Sequence, residues 1–299
     1  MKNLWKQYLL ELRNPPLIGP GLRTNLPPRL RQVLHTVFTT FRYVGYYLLF
    51  KPIGGLLIVS LCRLHVQGRE NLLYDRSFIG TMNHLSQLDP VVGLFVANRP
   101  LFAMAKAEYF KTPLLGSIAT ALGGFPVRRG AADRQAVRTA LGIVKIGGVT
   151  CIYPEGTRSK TYQLQPAHPG AAMIAATSDV PVIPSAIWGS ENLMRKRKLG
   201  FLKRPRIDFK IGQPYNLKEA TAAFMAEHQL VGPATSKRSR HTDFELMSDI
   251  MMLKIADLLP AEYRGEFTPE QLVQRYHTRN AQRKAAATAA SEVESSPST

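Results

Sequence analysis

Residues 77–90 read Ser77-Phe78-Ile79-Gly80-Thr81-Met82-Asn83-His84-Leu85-Ser86-Gln87-Leu88-Asp89-Pro90, and this one stretch predicts a strand, a loop and the start of a helix. The apolar run 77–82 is typical of a short buried strand. Asp89 followed by Pro90 is typical of a helix N-terminus, because aspartate favours the cap and proline suits the first helical position. His84 therefore lies in the loop that joins the strand to the helix.

The same alternation of strand and helix continues along the chain and decides the fold class. Further apolar runs, separated by helix-like stretches, lie at residues 101–105, 125–127, 149–153 and 182–188. Residues 133–146 carry apolar side chains at helical spacing, and residues 206–212 alternate like a strand at the margin of the sheet. The pattern predicts an α/β domain over residues 64–278, with a largely parallel or mixed sheet flanked by helices.

A histidine and a carboxylate that meet where a strand ends can form a general base. If the loop curls back, the Asp89 carboxylate accepts a hydrogen bond from one imidazole nitrogen of His84 and fixes the tautomer, and the other nitrogen faces a substrate hydroxyl. On spacing alone, a structural interpretation is also open, in which His84 packs in the loop and Asp89 only caps the helix. Other parts of the sequence must decide between the two.

Three further blocks follow in order: Gly123-Gly124-Phe125-Pro126-Val127-Arg128-Arg129, then Tyr153-Pro154-Glu155-Gly156-Thr157-Arg158-Ser159, then Val180-Pro181-Val182-Ile183-Pro184. With His84 and Asp89 as a His-x4-Asp motif, they resemble the lysophospholipid acyltransferase family, most closely its 1-acyl-glycerol-3-phosphate branch. Each block alone also fits an ordinary turn, strand or solvated arginine pair, but their joint order is specific. Tyr153 stands where the family usually has Phe, and Arg128 where glycerolipid enzymes often have Asp. The resemblance implies a glycerol-3-phosphate acyltransferase-like fold.

The resemblance also implies roles for individual residues. His84, oriented by Asp89, would deprotonate an acceptor hydroxyl that attacks an acyl thioester directly, with no acyl-enzyme. Arginine suits a phosphate on the acceptor, because it stays charged and donates in pairs. The candidate substrate-binding residues are Arg129 and Arg158 for the phosphate, Gly156 and Thr157 as donors in a turn, Lys106 as a second-rank phosphate ligand, and Glu155, whose role is open.

The sequence offers little for other kinds of catalysis. It has no Gly-x-Ser-x-Gly elbow, and Cys62 and Cys151 both lie in apolar runs, where buried structural cysteines are expected. The histidines are scattered without metal-ligand spacing, and no Gly-x-Gly-x-x-Gly or Walker pattern is present. We therefore expect no cofactor and no metal, with acyl-CoA or an acylated acyl carrier protein as the donor substrate.

The charge of the chain predicts anionic partners. Its 299 residues carry a formal net charge of +18, which suits nucleic acid, an anionic membrane surface or a phosphorylated substrate. No nucleic-acid-binding motif accompanies the charge, so a nucleic-acid partner is disfavoured. The basic cluster Arg195–Arg206 includes Leu199, Phe201 and Leu202, which favours a membrane surface first, a coenzyme A or acyl carrier protein donor second, and a solvated loop third.

The N-terminal part predicts a membrane contact. Residues 1–29 read as a lead-in segment, and residues 30–63 form an apolar, aromatic motif in which Lys51 divides the runs 43–50 and 52–62. Each run is shorter than the roughly 20 residues that span a bilayer, so we expect two helices that dip into one leaflet. One continuous helix would have Lys51 in its middle. A charged side chain at the centre of a bilayer costs about 3 kcal/mol of insertion free energy. A hairpin packed on the domain's own core is the third possibility.

The C-terminal part gives weaker signals. Residues 219–240 read as an irregular excursion, and Thr242-Asp243-Phe244-Glu245 is typical of a capping box that opens a helix ending near Leu259. Residues 279–299 are rich in Ala, Ser and Glu, and we expect them to be disordered.

Taken together, these features predict a membrane-associated acyltransferase. We expect it at the cytoplasmic face of the cell membrane, because the two cysteines fit a reducing compartment. The expected reaction moves a fatty acyl group to the 2-hydroxyl of 1-acyl-sn-glycerol 3-phosphate and gives phosphatidic acid. Glycerol 3-phosphate or another lysophospholipid is the alternative acceptor. A non-catalytic membrane-surface protein with the same fold would not need His84, Asp89, Arg129 and Glu155 together.

Overall fold

The computed structural model describes residues 44–97, 99–128, 133–193, 204–230 and 237–295, and its centre is a seven-stranded β-sheet. The strands are β1 (Arg63–Gln67), β2 (Ile79–Met82), β3 (Phe102–Lys106), β4 (Gly124–Val127), β5 (Thr150–Ile152), β6 (Val182–Trp188) and β7 (Arg206–Ile211). They lie in the order β1-β7-β6-β2-β5-β3-β4, and all neighbours are parallel except β6 and β7. The predicted α/β class with a largely parallel, mixed sheet is confirmed.

Helices cover both faces of this sheet. The α-helices are α1 (Gly55–Leu61), α2 (Asp89–Val96), α3 (Pro113–Ala121), α4 (Arg134–Lys145), α5 (Pro169–Ser178), α6 (Leu217–Glu227), α7 (Lys237–Ala256) and α8 (Pro269–Ser295). A π-helical segment, Tyr46–Gly54, runs directly into α1, and the 3-10 turn Ser190–Leu193 follows β6.

Alternate side chains of the central strands enter two separate apolar cores. Val182 and Ala186 of β6 pack in a core formed with helices α4 to α8, whereas Ile183 and Ile187 pack on the opposite face in a core that includes α1 and α2. Because both faces of β6 are buried, its sequence is nearly all apolar and does not alternate with polar residues.

The parallel direction of β2, β3, β5 and β6 brings the segments that follow them to one edge of the sheet. His84 follows β2, Lys106 ends β3, Tyr153 follows β5, and Gly189 follows β6. An open α/β sheet binds its ligands at this carboxyl edge, so the predicted motifs share the expected location.

The described part of the N-terminal apolar region is one helix. Residues 44–61 are helical throughout with Lys51 inside, so the predicted division into two helices at Lys51 is wrong. The Lys51 ammonium donates to the carbonyl oxygens of Phe95 and Ala97, each at 2.6 Å, at the C-terminal end of α2. These carbonyls form the negative end of the α2 dipole and satisfy the charge, so the helix does not need to end at the lysine.

One face of this helical segment packs on α2 and the other is open to solvent. The Tyr46 hydroxyl lies within hydrogen-bond distance of the Leu94 and Ala97 carbonyl oxygens, which share its one proton, and Ile58 is buried against the sheet. The opposite face exposes apolar side chains, namely Leu48, Leu49, Ile53, Leu56, Leu57 and Val59. No helix among the described residues has the length and apolar content to cross a membrane. The lead-in residues 1–29, and the apolar motif up to residue 43, lie outside the described residues.

Two sheet predictions need correction. The strand at residues 206–212 is present as β7, but it lies inside the sheet between β1 and β6 and not at the margin. The strand at this edge of the sheet is β1, which the sequence did not predict. Its residues alternate between exposed and partly buried positions, so it lacks the continuous apolar run that marked the central strands.

Three C-terminal predictions are also wrong. Residues 219–240 are not wholly irregular, because α6 occupies 217–227 and the Asn216 side chain caps it by accepting from Lys218 N and Glu219 N. Helix α7 begins at Lys237, so the residues from Thr242 to Glu245 lie within the helix and do not open it.

The predicted disordered tail continues the last helix as far as Ser295. Its alanines are the strongest helix formers, which outweighs the polar composition. The arginines of α8 also pair with acidic side chains of α7: Arg279 Nη1 lies 2.6 Å from Asp249 Oδ2, and Arg283 Nη2 lies 2.5 Å from Glu245 Oε2.

Candidate active site

His84 and Asp89 form a buried pair at the carboxyl edge of the sheet. His84 Nδ1 lies 2.9 Å from Asp89 Oδ2, and the two residues are 7% and 0% exposed. A carboxylate oxygen only accepts, so Nδ1 carries the proton and donates it to Asp89. The lone pair of the imidazole then sits on Nε2, which has no hydrogen-bond partner among the described residues.

Asp89 is the centre of a hydrogen-bond network that shapes the loop. Besides His84, its Oδ2 accepts from the backbone N–H groups of Leu85 and Ser86, each at 2.6 Å. Its Oδ1 accepts from the Ser190 hydroxyl at 2.6 Å. The carboxylate therefore curls the loop back onto itself, and it does not act as a simple cap of α2, whose N-cap position is Leu88.

The backbone of His84 is held on both sides by the loop after β5. Its N–H donates to Glu155 Oε1 at 2.9 Å, and its carbonyl accepts from Ser159 N at 2.8 Å. The second oxygen of Glu155 accepts from Gln165 N at 3.1 Å. Glu155 is 2% exposed and faces backbone N–H groups, so here it joins the two loops.

The ring of Tyr153 covers one face of the imidazole. The ring centroids of His84 and Tyr153 are 4.4 Å apart, with an angle of 33° between the planes. This packing limits how far the imidazole can turn. The family's usual Phe would supply the same aromatic face.

Two residues beside the pair fix the strands that carry it. The Asn83 side chain donates Nδ2 to the Ile187 carbonyl and accepts from Ile187 N, both at 2.8 Å, so it extends the β2–β6 pairing beyond the strand ends. Gly189 has φ +82°, and a Cβ there would lie 2.3 Å from the carbonyl oxygen of Arg206. Glycine is therefore required where the chain turns after β6.

The predicted phosphate ligands are less closely gathered. Gly156 has φ +64°, and a Cβ there would meet His168 Cδ2 at 2.5 Å, so this turn also requires glycine. Thr157 and Arg158 follow it and are exposed on the loop that holds His84. Lys106 lies on β3, two strands from β2, and its Nζ is 3.6 Å from Glu108 Oε1. Arg129 lies outside the described residues.

Burial controls the ionisation of several groups near the pair. Desolvation raises the pKa of Glu155 to about 8, and the negative charge of Asp89 adds to the increase. The hydrogen bonds from the N–H groups of His84 and Gln165 lower this pKa but do not cancel the effect of burial. Desolvation also raises the pKa of Cys151 to about 12, so this thiol is not an activated nucleophile. Cys151 is half-buried and Cys62 is buried, and burial raises the pKa of the Cys62 thiol too. No cluster of three or more potential metal ligands occurs in the described part of the chain.

The Glu155 carboxyl predicts a specific pH dependence of stability. Its folded pKa of about 8 lies above the ordinary value of 4.5, so its contribution to stability is fully present below about pH 4.5 and is lost as the pH rises towards 8. A Glu155→Gln variant does not titrate there. Between pH 5 and 8 we expect the free energy of unfolding of the wild type to fall relative to that of Glu155→Gln, by at most about 1.4 kcal/mol per pH unit. Above pH 8 the difference between the two proteins should be constant.

Urea unfolding of both proteins at pH 5, 6.5, 8 and 9 measures this difference. A Glu219→Gln variant, at an exposed carboxyl, controls for loss of one acidic group. Parallel pH curves for the wild type and Glu155→Gln would show that Glu155 is ionised throughout.

Several residues of this site escaped the sequence reasoning. Asn83 and Tyr153 stand inside the quoted blocks, and their positions beside the strand ends were an available signal. Ser159 closes the third block but acts through its backbone, which no side-chain pattern reveals. Ser190 lies six residues beyond the fourth block, and only the pairing of β6 with β2 shows that it reaches Asp89.

Known proteins are similar to this chain in sequence. Residues 63–188 match the family described as Acyltransferase. The chain is 30% identical over 138 residues to the 1-acyl-sn-glycerol-3-phosphate acyltransferase of Bacillus subtilis, which covers 45% of this chain and 68% of that protein. It is 29% identical over 181 residues to the chloroplastic 1-acyl-sn-glycerol-3-phosphate acyltransferase BAT2 of Brassica napus, with 60% of this chain and 52% of that protein covered.

A solved structure is also similar, that of the 1-acyl-sn-glycerophosphate acyltransferase PlsC from Thermotoga maritima. It has 23% sequence identity and a TM-score of 0.48, with 75% of this chain and 81% of that chain covered. The matched region spans about half the length of the Brassica napus relative. From the family match and the Bacillus subtilis relative, the chain belongs to the acyltransferase family, in the branch of the 1-acyl-sn-glycerol-3-phosphate acyltransferases.

Proposed function

We propose that this protein transfers a fatty acyl group from an acyl thioester to the 2-hydroxyl of 1-acyl-sn-glycerol 3-phosphate, giving phosphatidic acid for phospholipid biosynthesis. The observation that carries the proposal is the buried His84–Asp89 pair, in which His84 Nε2 is left without a hydrogen-bond partner from the described segments and can accept a proton. The relatives named above are called after this same acceptor, which supports the choice among hydroxyl substrates.

The pair supports direct transfer by general-base catalysis. His84 Nε2 takes the proton of the acceptor hydroxyl as its oxygen attacks the thioester carbonyl. Asp89 keeps the imidazole oriented and stabilises the imidazolium that forms. The tetrahedral intermediate then collapses, the carbon–sulfur bond breaks, and the thiolate leaves and takes the proton back from His84. No hydroxyl or thiol among the described residues is hydrogen-bonded to Nε2, so the substrate hydroxyl is the expected partner.

A panel of acceptors tests the reaction. Radiolabelled long-chain acyl-CoA, and in parallel acylated acyl carrier protein, is offered with lysophosphatidic acid, glycerol 3-phosphate, lysophosphatidylcholine or lysophosphatidylethanolamine. We expect label in phosphatidic acid made from lysophosphatidic acid. Transfer only to another acceptor would retain the chemistry and replace the substrate, and no transfer from either donor would refute the proposal.

Arg158 is proposed to bind the acceptor phosphate, together with Arg129. Its loop is tied to His84 through the Ser159 N–H, so a phosphate held there would lie near the base. We predict that Arg158→Ala raises the KM for the acceptor about 10- to 100-fold, because a charge-assisted hydrogen-bond pair is lost, and leaves kcat nearly unchanged.

Steady-state kinetics with varied acceptor measures this effect. Lys160→Ala is the matched control, since it removes another exposed positive charge from the same loop. An equal rise in KM for Lys160→Ala would indicate a general electrostatic effect, and a fall in kcat alone would contradict a role in binding.

The exposed apolar face of the N-terminal helical segment supports a proposed membrane contact. Leu56 is 72% exposed and Ile53 64%, and both lie on the face away from α2. Apolar side chains exposed together in this way are typical of a lipid interface. With the net charge of +18, this surface favours a peripheral or monotopic position at the anionic, cytoplasmic face of the cell membrane.

Co-sedimentation with anionic vesicles tests the contact. We expect the double variant Ile53→Ser, Leu56→Ser to bind vesicles less than the wild type, whereas Tyr74→Ser, an exposed side chain elsewhere, binds normally. Unchanged binding of the double variant would refute a role for this face. An acyl carrier protein donor remains a separate proposal, which the donor comparison above decides.

A further inference from the structure

The two oxygens of Asp89 have very different surroundings. Oδ2 accepts from His84 Nδ1 and from two backbone N–H groups, whereas Oδ1 accepts only from the Ser190 hydroxyl among the described residues, at 2.6 Å. Asp89 and Ser190 are both 0% exposed, so solvent does not compete for this contact. The Ser190 side chain is therefore the one hydrogen-bond donor to Asp89 Oδ1 among the described residues.

The fold places this serine with little freedom. Ser190 begins the turn after β6, which pairs in parallel with β2, the strand that leads into His84. The Asn83 side chain bonds both backbone groups of Ile187, so the ends of β2 and β6 are locked together. Gly189 then turns the chain with φ +82° and aims Ser190 at Asp89.

The hydroxyl can act on catalysis by fixing the plane of the carboxylate. The terminal torsion of an aspartate is broad, so contacts must select its orientation. With Ser190 on Oδ1, the other oxygen stays directed at His84 Nδ1. A fourth donor also stabilises the carboxylate form, so the proton that His84 takes from the acceptor stays on the imidazole.

We propose that Ser190 is a positioning residue of this site, which holds Asp89 and through it sets the orientation of the His84 base. The inference rests on the proposed function, because it needs His84 to act as the base in acyl transfer. Within the described ranges, the one side-chain hydrogen bond of Ser190 goes to Asp89, so we expect it to act on kcat and not on the binding of either substrate.

The test is the effect of Ser190→Ala in two backgrounds. In the otherwise wild-type protein we expect kcat to fall about 10- to 100-fold, with the KM of the acceptor and of the donor changed less than about threefold. In a His84→Ala background the same substitution should change the residual rate less than about twofold, because there is no base left to orient. Ser77→Ala is the matched control, since it removes a serine hydroxyl bonded to the Val144 carbonyl at the far end of β2 and should leave kcat unchanged.

Each outcome has one meaning. Loss of kcat that disappears in the His84→Ala background supports the inference. An unchanged kcat, a rise in KM alone, or an equal loss in both backgrounds would overturn it and give Ser190 a structural or binding role. If the wild type transfers no acyl group at all, the proposed function fails first, and that result is seen before any variant is compared.

Discussion

His84→Ala is expected to lower kcat for acyl transfer by about 10²- to 10⁴-fold while the protein stays folded. His84 Nε2 has no hydrogen-bond partner among the residues that the structure describes, so removal of the imidazole would leave the acceptor hydroxyl without a base. Stability should change little by comparison. Asp89 keeps its three other donors, from Leu85, Ser86 and Ser190, and remains a satisfied buried charge.

The chain supplies a matched control for this substitution. His65 also pairs with an aspartate, Nδ1 lying 3.1 Å from Asp208 Oδ1, but these residues lie on β1 and β7, three and two positions across the sheet from β2. His65→Ala should therefore keep wild-type turnover. Rates measured at saturating substrate, with circular dichroism to verify folding, separate the two variants. Wild-type kcat for His84→Ala would exclude the histidine as base.

Asp89→Ala is expected to lose both activity and stability. It would leave four buried donors without an acceptor, namely His84 Nδ1, the N–H groups of Leu85 and Ser86, and the Ser190 hydroxyl. A buried donor left unsatisfied costs about 1 to 3 kcal/mol, and partial relaxation suggests a total loss near 3 to 5 kcal/mol in the free energy of unfolding. Activity should fall at least as far as in His84→Ala.

Asp89→Asn separates the two losses. The amide oxygen can replace Oδ2 and the amide nitrogen can donate to the Ser190 oxygen, so the loop keeps its shape and stability should fall by only about 1 kcal/mol. The negative charge that stabilises the imidazolium is gone, and kcat should still fall about 10²- to 10⁴-fold. Urea unfolding and turnover are measured on both variants. Similar stability of the Ala and Asn variants would contradict the role of this carboxylate in holding the loop.

The fold and the contact between His84 and Asp89 could be predicted because they depend on local patterns. Each central strand is an apolar run long enough to stand out, and Asp89-Pro90 marks the start of α2. The contact between His84 and Asp89 spans five residues, so it follows from one loop. The spacing of His84 and Asp89 alone also allowed a structural interpretation, and the order of the four blocks favoured the acyltransferase family. The match of residues 63–188 to that family agrees with this prediction.

What could not be predicted depends on contacts between distant segments. The sequence leaves the role of Glu155 open, and only the structure shows that its oxygens accept from the backbone N–H groups of His84 and Gln165, 71 and 10 residues away. Lys51 looked like a helix break, yet the α2 carbonyls satisfy it across 44 residues or more. Ser190 reaches Asp89 only because β6 lies beside β2. Such partners appear only after the sheet order is known.

The measurement we would make on the wild-type protein is thiol release from a long-chain acyl thioester, followed rapidly with and without acceptor. His84 Nε2 has no hydrogen-bond partner in the described part of the chain, Cys62 is buried, and the pKa of Cys151 is raised to about 12. These observations predict direct transfer, so thiol should appear only when an acceptor hydroxyl is present, in equal amounts with acylated product. A burst of thiol without acceptor, equal in amount to the protein, would show an acyl-enzyme and contradict the proposed role of His84 as the base for the acceptor hydroxyl.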